Sequence, residues 1–358
     1  MVLSLRRGAL LSLVVGASAL ALATSWAAAP EPARSLRILS DRPLPPELVN
    51  AVDIRWASDH SIYLAMLREG TVEASLDFDH LKVVPMIPKM REPGGSFSGL
   101  LAASSEYLVT SGPFWITWRS IASPTRAEDA FDSIHDLDVA GDRFLILAAR
   151  RGEKGQFAPE GAIAWTGSLR RGLSDLRPVA YDATGPGARN LGACSNFHMG
   201  GVRFLGDGSF LVVPGVQPGI LLYSPEGKLI HTWDSAQVGF DTDCASLSEE
   251  QVHRYAVDPI QQAAWLNERR TLDEILPLPQ GPGLVVRSVS QGQTRWDLKV
   301  LTQKGDITTY RIPVQAQSET SHLKGDVRGN RIVFVMRAFK KDYKNREIPR
   351  LLMAEVPD

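Results

Sequence analysis

The sequence has little cysteine, little excess charge and few long apolar runs. Two cysteines occur among 358 residues, and 39 basic residues face 40 acidic ones, which gives a net charge of −1. This balance provides no extended basic surface, so it argues against binding to nucleic acid or anionic lipid. After residue 29, no segment is long and apolar enough to cross a bilayer. No stable membrane insertion is expected for that part of the chain.

Familiar catalytic motifs are also missing. The sequence contains no Gly-rich phosphate loop, no His-Glu-x-x-His zinc helix and no Gly-x-Ser-x-Gly nucleophile elbow. These absences disfavour several large enzyme classes. What the sequence does contain indicates an architecture more clearly than a reaction.

The N-terminus is typical of a secretory signal peptide. Arg6 and Arg7 precede an uncharged run over residues 8–29 that is rich in Leu, Val and Ala. Cleavage is expected after Ala27, which with Ser25 places small residues where the peptidase reads them. The alternatives are an uncleaved anchor and, for the route, twin-arginine export instead of Sec export. The predicted mature chain, residues 28–358, has a net charge of −3 and would be periplasmic or extracellular.

Residues 202–233 predict one complete four-stranded antiparallel unit of the kind that forms a β-propeller blade. Asp207 and Gly208 can occupy the positive-φ positions of a two-residue hairpin turn. Residues 224–227, Ser-Pro-Glu-Gly, place Pro and Gly where a second tight turn needs them. The unit therefore predicts an all-β fold.

Five further segments repeat the start of such a blade, an innermost strand followed by a turn and a second strand. The paired segments, including the complete unit, are residues 52–56 with 62–66, 99–103 with 107–110, 135–139 with 144–148, 202–233, 275–278 with 284–289, and 323–327 with 331–336. We therefore predict a single domain, a six-bladed propeller of four-stranded antiparallel blades. The last blade lacks a fourth strand, which residues 35–40 would supply unless they form a disordered leader.

With this rhythm, the chain resembles the secreted six-bladed propellers with NHL-type repeats that are grouped with TolB-like and gluconolactonase-like proteins. The resemblance is clearest over residues 202–233. Lactonase members of this group bind a divalent cation in the central channel through Glu and Asn or Asp ligands, and streptogramin-lyase-like members use a channel histidine. The resemblance therefore implies a divalent cation as the cofactor of an enzymatic version of this chain.

Cys194 and Cys244 flank the complete blade on crossovers that emerge on the same face. In an exported chain they are expected to form a disulfide. The strand pattern stops after Cys244 and a helical insertion is predicted over about residues 245–273. Its helix starts are a capping box, Ser248 with Gln251, and an N-cap at Asp258.

Candidate ligand-binding residues follow from this arrangement. His135 and His198 stand at the entrance to innermost strands, Asn196 lies beside His198, and Asp326 is a third candidate for the channel. Asp241 and Asp243 form an acidic pair that is a weaker metal candidate. Each of these residues also has an ordinary structural interpretation, as a core histidine or a loop cap.

The sequence thus predicts an exported β-propeller that binds an unknown protein or small-molecule ligand on the face carrying the 194–244 region. A monomer is expected. The alternative is a channel-metal hydrolase or lyase of the lactonase or streptogramin-lyase-like type, in which His135, His198 and a carboxylate would converge. A third hypothesis is a structural envelope protein with an apolar plug in its channel.

Overall fold

The computed structural model describes residues 34–357 with internal gaps. The residues that it does not describe within this range are 68–69, 87–98, 113–114, 121–125, 130, 132, 150–161, 182–199, 216–218, 242–247, 249, 252–253, 255–257, 259–260, 262–263, 266, 303, 317–320 and 339–348. Every structural statement below refers to the described part.

Six antiparallel sheets, the blades, follow one another along the chain, and each begins with its innermost strand. Blade 1 comprises β3 (Ala51–Trp56), β4 (Ser61–Met66), β5 (Gly70–Ser75) and β6 (Leu81–Val84). Blade 2 comprises β7 (Leu100–Ala103), β8 (Tyr107–Ser111), β9 (Trp115–Ser120) and β10 (Arg126–Asp129). Blade 3 comprises β11 (Ser133–Ala140), β12 (Arg143–Ala149), β13 (Ala162–Ser168) and β14 (Arg177–Tyr181).

The second half of the chain continues the pattern. Blade 4 comprises β15 (Gly201–Phe204), β16 (Phe210–Val213), β17 (Ile220–Tyr223) and β18 (Leu229–Trp233). Blade 5 comprises β19 (Thr271–Leu278), β20 (Gly281–Ser290), β21 (Gln293–Leu301) and β22 (Ile307–Ala316). Blade 6 comprises β23 (Ser321–Arg328), β24 (Arg331–Ala338) and β25 (Arg350–Glu355). Innermost strands of successive blades contact each other, and β23 contacts β3, so the predicted six-bladed ring is confirmed.

The ring is closed by the first described strands. β2 (Arg37–Pro43) pairs antiparallel with β25 and supplies the fourth strand of blade 6. Before it, β1 (Arg34–Ser35) pairs in parallel with the outer strand of blade 5. The predicted closure by the N-terminal segment is therefore confirmed, although the strand extends to Pro43. This pairing covers the edge of β25 with β2.

Short helices and turns complete the description. The single-turn helix α1 (Ser235–Val238) follows blade 4, and 3₁₀ turns occur at Pro46–Leu48 and Leu173–Asp175. In the first hairpin of blade 4, Gly208 has φ of 82°, but Asp207 does not adopt positive φ as predicted. Its side chain instead accepts a hydrogen bond from the Ser209 N–H at 3.0 Å. An Asx-type bond thus replaces the left-handed conformation that the sequence suggested.

The apolar core lies between blades. One cluster joins blades 3 and 4 and includes Phe204, Phe210 and Tyr223, while another joins blades 5 and 6 around Trp296 and Phe334. The remaining clusters lie likewise between neighbouring blades or fill one blade against the next. The inner strands of the blades are therefore mostly buried, whereas outer strands such as β6 and β18 are largely exposed.

Candidate functional site in the central channel

The described residues include only part of the predicted site. Asn196, His198 and Cys194 lie outside them, as do Asp243, Cys244 and Ala27. The predicted disulfide, the signal cleavage and the convergence of His135 with His198 therefore remain predictions. His135, Asp241 and Asp326 are described, and each has a definite place in the fold.

His135 is buried in β11, the innermost strand of blade 3. The pairing between β11 and β12 shifts register at this residue, between Ile134 and Asp136. Such a bulge locally redirects side chains. Asp136 and Asp138 follow the bulge and lie two residues apart, on one side of the strand, and each contacts the backbone of blade 4.

Asp326 is the sixth of eight residues in β23, and its carboxylate connects three blades. Oδ2 accepts a hydrogen bond from the Trp56 N–H of blade 1 at 2.9 Å, and Oδ1 lies 3.2 Å from Nη2 of Arg203 in blade 4. These contacts give Asp326 a structural role, because its carboxylate joins three blades. The sequence indicated Asp326 as a channel candidate, but it did not indicate these contacts with Trp56 and Arg203.

Carboxylates on innermost strands form a recurring contact that we call the inter-blade latch. In each latch the carboxylate accepts a hydrogen bond from a backbone N–H in the next innermost strand. The pairs are Asp53 with Leu101 at 2.8 Å, Asp136 with Val202 at 2.8 Å, Asp138 with Phe204 at 2.8 Å, Asp273 with Leu323 at 3.0 Å, Glu274 with Gly325 at 3.4 Å, and Asp326 with Trp56 at 2.9 Å. Each of these bonds joins the innermost strands of two neighbouring blades. The latches therefore fix neighbouring blades in register.

Two arginines fill the middle of the channel. Arg55 donates to Asp53 at 2.8 Å, and Arg203 pairs with Asp138 at 3.3 Å. Their guanidiniums also share Glu274, whose oxygens lie 3.6 Å from Arg55 and 3.9 Å from Arg203. All five side chains are nearly inaccessible to solvent. We call this set, together with Asp326, the channel network. It fills the channel with ionic side chains, whereas the hypothesis of a structural envelope protein predicted an apolar plug.

The two arginines occupy equivalent places in blades 1 and 4, which stand opposite each other in the ring. Residues 138–143 and 326–331 both read Asp-Val-x-Gly-(Asp/Asn)-Arg. The first Asp of each segment accepts a hydrogen bond from the N–H of the aromatic residue that follows a channel arginine, Phe204 after Arg203 or Trp56 after Arg55. The last arginine of each segment stacks on that same ring, at 5.1 Å for Phe204 and 5.3 Å for Trp56. The interface between blades 3 and 4 is thus repeated between blades 6 and 1.

Burial sets the protonation of the channel carboxylates. Desolvation raises the pKa of Asp136 to about 7, although the Lys324 ammonium acts against it. Desolvation also raises the pKa of Asp53 and of Asp138, against the opposing effect of their arginines. For Glu274 the balance is reversed. Burial acts to raise its pKa, but Lys324 and the two arginines together outweigh burial and lower it.

A second set of polar side chains lies at the mouth of the channel, where the innermost strands of blades 5 and 6 begin. Asp273 Oδ1 is 2.9 Å from Nδ1 of His322, and its Oδ2 accepts from Trp296 Nε1 at 2.6 Å and from the Leu323 N–H. Burial acts to raise the pKa of Asp273, but these donors and Arg287 lower it to about 2. Burial lowers the pKa of His322 despite this carboxylate. At neutral pH the pair is therefore an ionised Asp and a neutral His.

Three basic side chains surround this pair. Arg287 donates from Nε to the Ser321 carbonyl at 2.9 Å, and Lys324 Nζ donates to the Asp273 carbonyl at 2.5 Å. Arg337 is the cross-strand partner of His322, and Asp273 is one of the carboxylates that act on its pKa. We call these residues the mouth cluster: Asp273, Arg287, His322, Lys324 and Arg337.

The insertion is anchored beside the mouth cluster. At its base, two hydrogen bonds of 2.8 Å join Asp241 and Arg270. The Asp241 N–H donates to the Arg270 carbonyl, and the Arg270 N–H donates to the Asp241 side chain at Oδ2. Near its end, Asn267 accepts a hydrogen bond from Arg287 at 3.0 Å. Asp241 therefore closes a loop, in agreement with the structural alternative for that residue. Strand β19 already begins at Thr271, so the insertion is shorter than predicted.

Both predicted helix starts in the insertion are confirmed. Ser248 and Gln251 form a reciprocal capping box, with bonds of 2.9 and 3.2 Å. The Asp258 side chain accepts from the Gln261 N–H at 3.2 Å. Several residues between 250 and 267 are helical. The caps fix the residues at which the two helices begin. They thereby help to hold the end of the insertion that contacts Arg287.

The described residues contain no group of three or more His, Cys, Asp or Glu side chains arranged to hold a metal ion. The geometry of the channel carboxylates explains this, because Asp53, Asp138, Glu274 and Asp326 point their oxygens at arginines and backbone N–H groups. Asp241 is likewise engaged, with Arg270. The donor set found in this part of the channel does not fit the divalent cation that the family resemblance implied.

Sequence reasoning missed most of the channel network and all of the mouth cluster. Assigning residues up to 273 to the insertion placed Asp273 outside the predicted blades, and the blade was predicted to start only at Ile275, which also excluded Glu274. Arg55 and Arg203 lay inside predicted innermost strands but were not considered as channel residues. The repeated Asp-Val-x-Gly-(Asp/Asn)-Arg segment is the signal that could have revealed them.

The strand order and the closed ring define the class of the fold, a six-bladed β-propeller. A comparison with solved structures found chains of similar fold. A U3-55K structure has a TM-score of 0.50 and 10% identity, and the match covers 90% of this chain and 100% of that chain. Virginiamycin B lyase from Staphylococcus aureus gives 0.44 and 9%, with 89% and 99% covered. A DUF4221 family member from Bacteroides vulgatus gives 0.49 and 8%, with 90% and 97% covered. At these identities the likeness concerns the fold alone.

Two other comparisons bear on identity. No protein-family model matches the sequence, and the search of curated proteins found no match. Within the described residues, no helix is long and apolar enough to span a membrane. The function is therefore argued from the residues of the site.

Proposed function

We propose that this protein is an exported β-propeller that acts as a binding module and engages its ligand on the face where the innermost strands begin. The ligand is a small molecule or a protein segment that reaches the mouth cluster. This face also carries the insertion and, by sequence, the crossovers with Asn196 and His198.

The observation that carries the proposal is the engagement of the channel carboxylates. Asp53, Asp138 and Asp326 each hold a backbone N–H of the next blade and an arginine at the same time. Catalysis in the middle of the channel would require these groups to exchange partners during turnover. Breaking one partner from a buried ion pair costs about 3–5 kcal/mol, which disfavours such exchange. The channel network supports the ring, and ligand recognition falls to its mouth.

The mouth has the features of a site supported by a rigid scaffold. Asp273 fixes the ring of His322, and Arg287 connects blade 5, the first residue of β23 and Asn267 of the insertion. Residues on loops that a rigid framework positions commonly provide binding function. The insertion therefore supplies one wall of the proposed site.

Export is the part of the proposal that depends on the sequence. The Arg6-Arg7 pair, the apolar run over 8–29 and the small residues before position 28 support a cleaved signal peptide. A disulfide between Cys194 and Cys244 would suit an oxidising compartment. It would also hold the crossover that carries Asn196 and His198 against the base of the insertion.

A ligand panel tests the binding proposal. Thermal stability of the mature protein would be measured with organic acids, phosphate esters, neutral sugars and short peptides, for wild type and for His322→Gln. A ligand that binds only the folded protein raises its melting temperature with concentration. We expect a stabilisation that His322→Gln reduces.

The matched control is His60→Gln. His60 lies in an exposed turn between β3 and β4, at the opposite end of the innermost strand of blade 1. This variant should retain the full ligand effect. Equal loss in both variants, or a panel without any stabilising ligand, would contradict binding at the mouth.

A further inference from the structure

Three of the six innermost strands contain a β-bulge at the same place. Their pairing with the second strand of the blade shifts register between Ala51 and Asp53 in blade 1, between Ile134 and Asp136 in blade 3, and between Leu272 and Glu274 in blade 5. The described innermost strands of blades 2, 4 and 6 pair without such a shift. Bulges are common next to active sites, where they re-aim side chains. In blades 1, 3 and 5 the residue after the bulge is a carboxylate.

These carboxylates occupy equivalent places in the channel, and we call them the carboxylate triad: Asp53, Asp136 and Glu274. Each accepts a hydrogen bond from an N–H of the next innermost strand, on Leu101, Val202 and Gly325 respectively. The residues just before these three donors are Leu100, Gly201 and Lys324. Of these, Lys324 contributes a charge, and Gly201 contributes no side chain.

Asp136 differs from the other two members of the triad. Asp53 accepts from Arg55 at 2.8 Å, and Glu274 lies 3.6 Å from Arg55 and 3.9 Å from Lys324. Asp136 accepts through Oδ2 from the Val202 N–H at 2.8 Å. Among the described residues, its Oδ1 has no hydrogen-bond partner, and no basic group lies within 4.0 Å of its carboxylate. Asp136 is therefore a buried carboxyl, 5% exposed, with one oxygen unpaired.

The other charges of the channel balance without Asp136. The channel network contains four carboxylates and two arginines. The mouth cluster contains one carboxylate and three cationic side chains beside the neutral His322. Asp136 belongs to neither set, so its ionisation leaves one negative charge without a cation in the described part of the channel.

The charged groups that act on Asp136 from other strands are known. Lys324 of β23 and Arg55 of β3 favour its ionised form, whereas Glu274 of β19 opposes it. On its two sides, β7 reads Leu-Leu-Ala-Ala, and Arg203 of β15 is engaged with two other carboxylates. Burial outweighs the two cations and raises the pKa of Asp136 to about 7. A cation next to Oδ1 would offset the cost of ionising this buried group.

The approach to Asp136 is from the mouth of the channel. The side chains of His322 and Lys324 are 32% and 20% exposed there. At Gly201 a Cβ atom would lie 3.0 Å from Asp136 Oδ2 and 3.1 Å from Ile275, so a side chain would crowd the carboxyl from blade 4. Because Asp136 itself is 5% exposed, a group that reaches it must be small.

We propose that Asp136 binds the ammonium group of a small organic amine that enters the channel at its mouth. A primary ammonium has three donors, of which one would bond to Oδ1 while its charge compensates the carboxylate. When Asp136 is protonated, the ammonium replaces that proton, which is released to solvent. This inference rests on the proposed binding function and names the chemical class of its ligand.

Methylammonium tests the proposal beside probes that each lack one of its features. Tetramethylammonium keeps the charge but has no N–H donor, acetamide keeps N–H donors but has no charge, and potassium chloride controls for salt. The melting temperature of the mature protein is measured as each probe is raised to roughly 100 mM, because a ligand that binds the folded protein raises it with concentration. The proteins are wild type, Asp136→Asn and the control Asp306→Asn, which alters an exposed turn.

Methylammonium should stabilise wild type more than the other probes do. Amines such as that of Lys titrate near pH 10, so the probe is charged at both pH 6 and pH 8. Because Asp136 ionises between these values, the apparent affinity should be about tenfold higher at pH 8. Asp136→Asn keeps an acceptor for the Val202 N–H and should lose the effect at both pH values, whereas Asp306→Asn should respond as wild type does. The pH dependence of wild type tests the site even if Asp136→Asn does not fold.

Three results would overturn the inference. Methylammonium stabilises wild type no more than another probe does, its affinity does not rise between pH 6 and pH 8, or Asp136→Asn responds as Asp306→Asn does. If methylammonium fails while a ligand of the panel above stabilises wild type but not His322→Gln, the binding function stands and only the amine class is wrong.

Discussion

The guanidiniums of Arg55 and Arg203 come from opposite sides of the ring, and both donate to the carbonyl oxygen of Gly325, at 3.4 and 3.2 Å. Gly325 belongs to blade 6. A Cβ atom at this position would lie 2.5 Å from the Phe334 ring, so only glycine lets the backbone pass this close to that ring. The contact ties blades 1, 4 and 6 together at one atom. The channel network thus acts on the ring as a whole and not on one interface.

Arg203→Met should strongly destabilise the protein. The substitution leaves Asp138 buried without its cation and removes one arginine from Glu274, and breaking a buried pair in this way costs about 3–5 kcal/mol. Chemical denaturation followed by tryptophan fluorescence measures the change. The comparison variant is Arg311→Met, whose exposed pair with Asp297 should be worth about 1 kcal/mol or less. Equal effects of the two substitutions would show that the channel network does not support the ring.

The inter-blade latch can be separated from the ion pair at Asp138. Asp138→Asn keeps an oxygen that can accept from the Phe204 N–H but loses the charge that faces Arg203, whereas Asp138→Ala loses both. Leaving a buried N–H without an acceptor costs about 1–3 kcal/mol. Asp138→Ala should therefore be less stable than Asp138→Asn by that amount in the same denaturation experiment. Equal stabilities would argue that the latch contributes nothing.

Asp136 gives the stability a dependence on pH. Its pKa is about 7 in the folded protein and 3.8 as the ordinary value, so between these the folded state binds more protons than the unfolded state. The contribution of Asp136 to stability must therefore fall as pH rises from about 4 to about 7. Asp136→Asn retains an acceptor for the Val202 N–H and cannot ionise. Its stability relative to wild type should be greater at pH 8 than at pH 5.

The control for this experiment is Asp306→Asn in an exposed turn of blade 5. Its stability relative to wild type should not change between these pH values. Asp273 acts in a different range, because its pKa of about 2 lies below the ordinary value. The stability that Asp273 contributes is present above about pH 4 and is lost as pH falls towards 2. For Asp136, a difference in stability between Asp136→Asn and wild type that does not change with pH would contradict the raised pKa assigned to this residue.

The exported form should begin at Ala28 and contain one disulfide. Intact-mass measurement of the protein from the producing cells should give the mass expected after removal of residues 1–27. Reduction followed by alkylation should add two alkyl groups, at Cys194 and Cys244, that are absent without reductant. A full-length mass would support the uncleaved anchor. Alkylation without reductant would show that the cysteines are free.

The ring could be predicted from the sequence because turn residues and short apolar strands recur in every blade. The segment Arg350–Glu355 and its pairing with the N-terminal segment follow from counting strands and requiring closure, although the pairing strand is Arg37–Pro43 and Ser35 pairs with blade 5. Local signals were sufficient for the hairpins, and the closing pair needed the count of strands as well. Asp207 is the exception, because its side-chain bond to Ser209 competes with the left-handed turn geometry.

The channel and mouth could not be predicted in the same way, because they depend on contacts between residues far apart in sequence. Asp273 and His322 are 49 residues apart and meet only when blades 5 and 6 pack together. His135 and Asp326 were proposed because they lie near innermost strands. The packing of the ring makes Asp326 part of the channel network and places His135 at a register shift, and neither outcome follows from local pattern.

The central claim is that the channel supports the ring while its mouth binds a ligand. Elemental analysis of the purified mature protein by mass spectrometry tests this most directly, with wild type, His135→Ala and Asp136→Asn compared after exchange into metal-free buffer and after addition of Ca²⁺, Mg²⁺ or Zn²⁺. We predict no stoichiometric metal that depends on either residue. One metal ion per chain that is lost in these folded variants would contradict the claim and support a channel metalloenzyme.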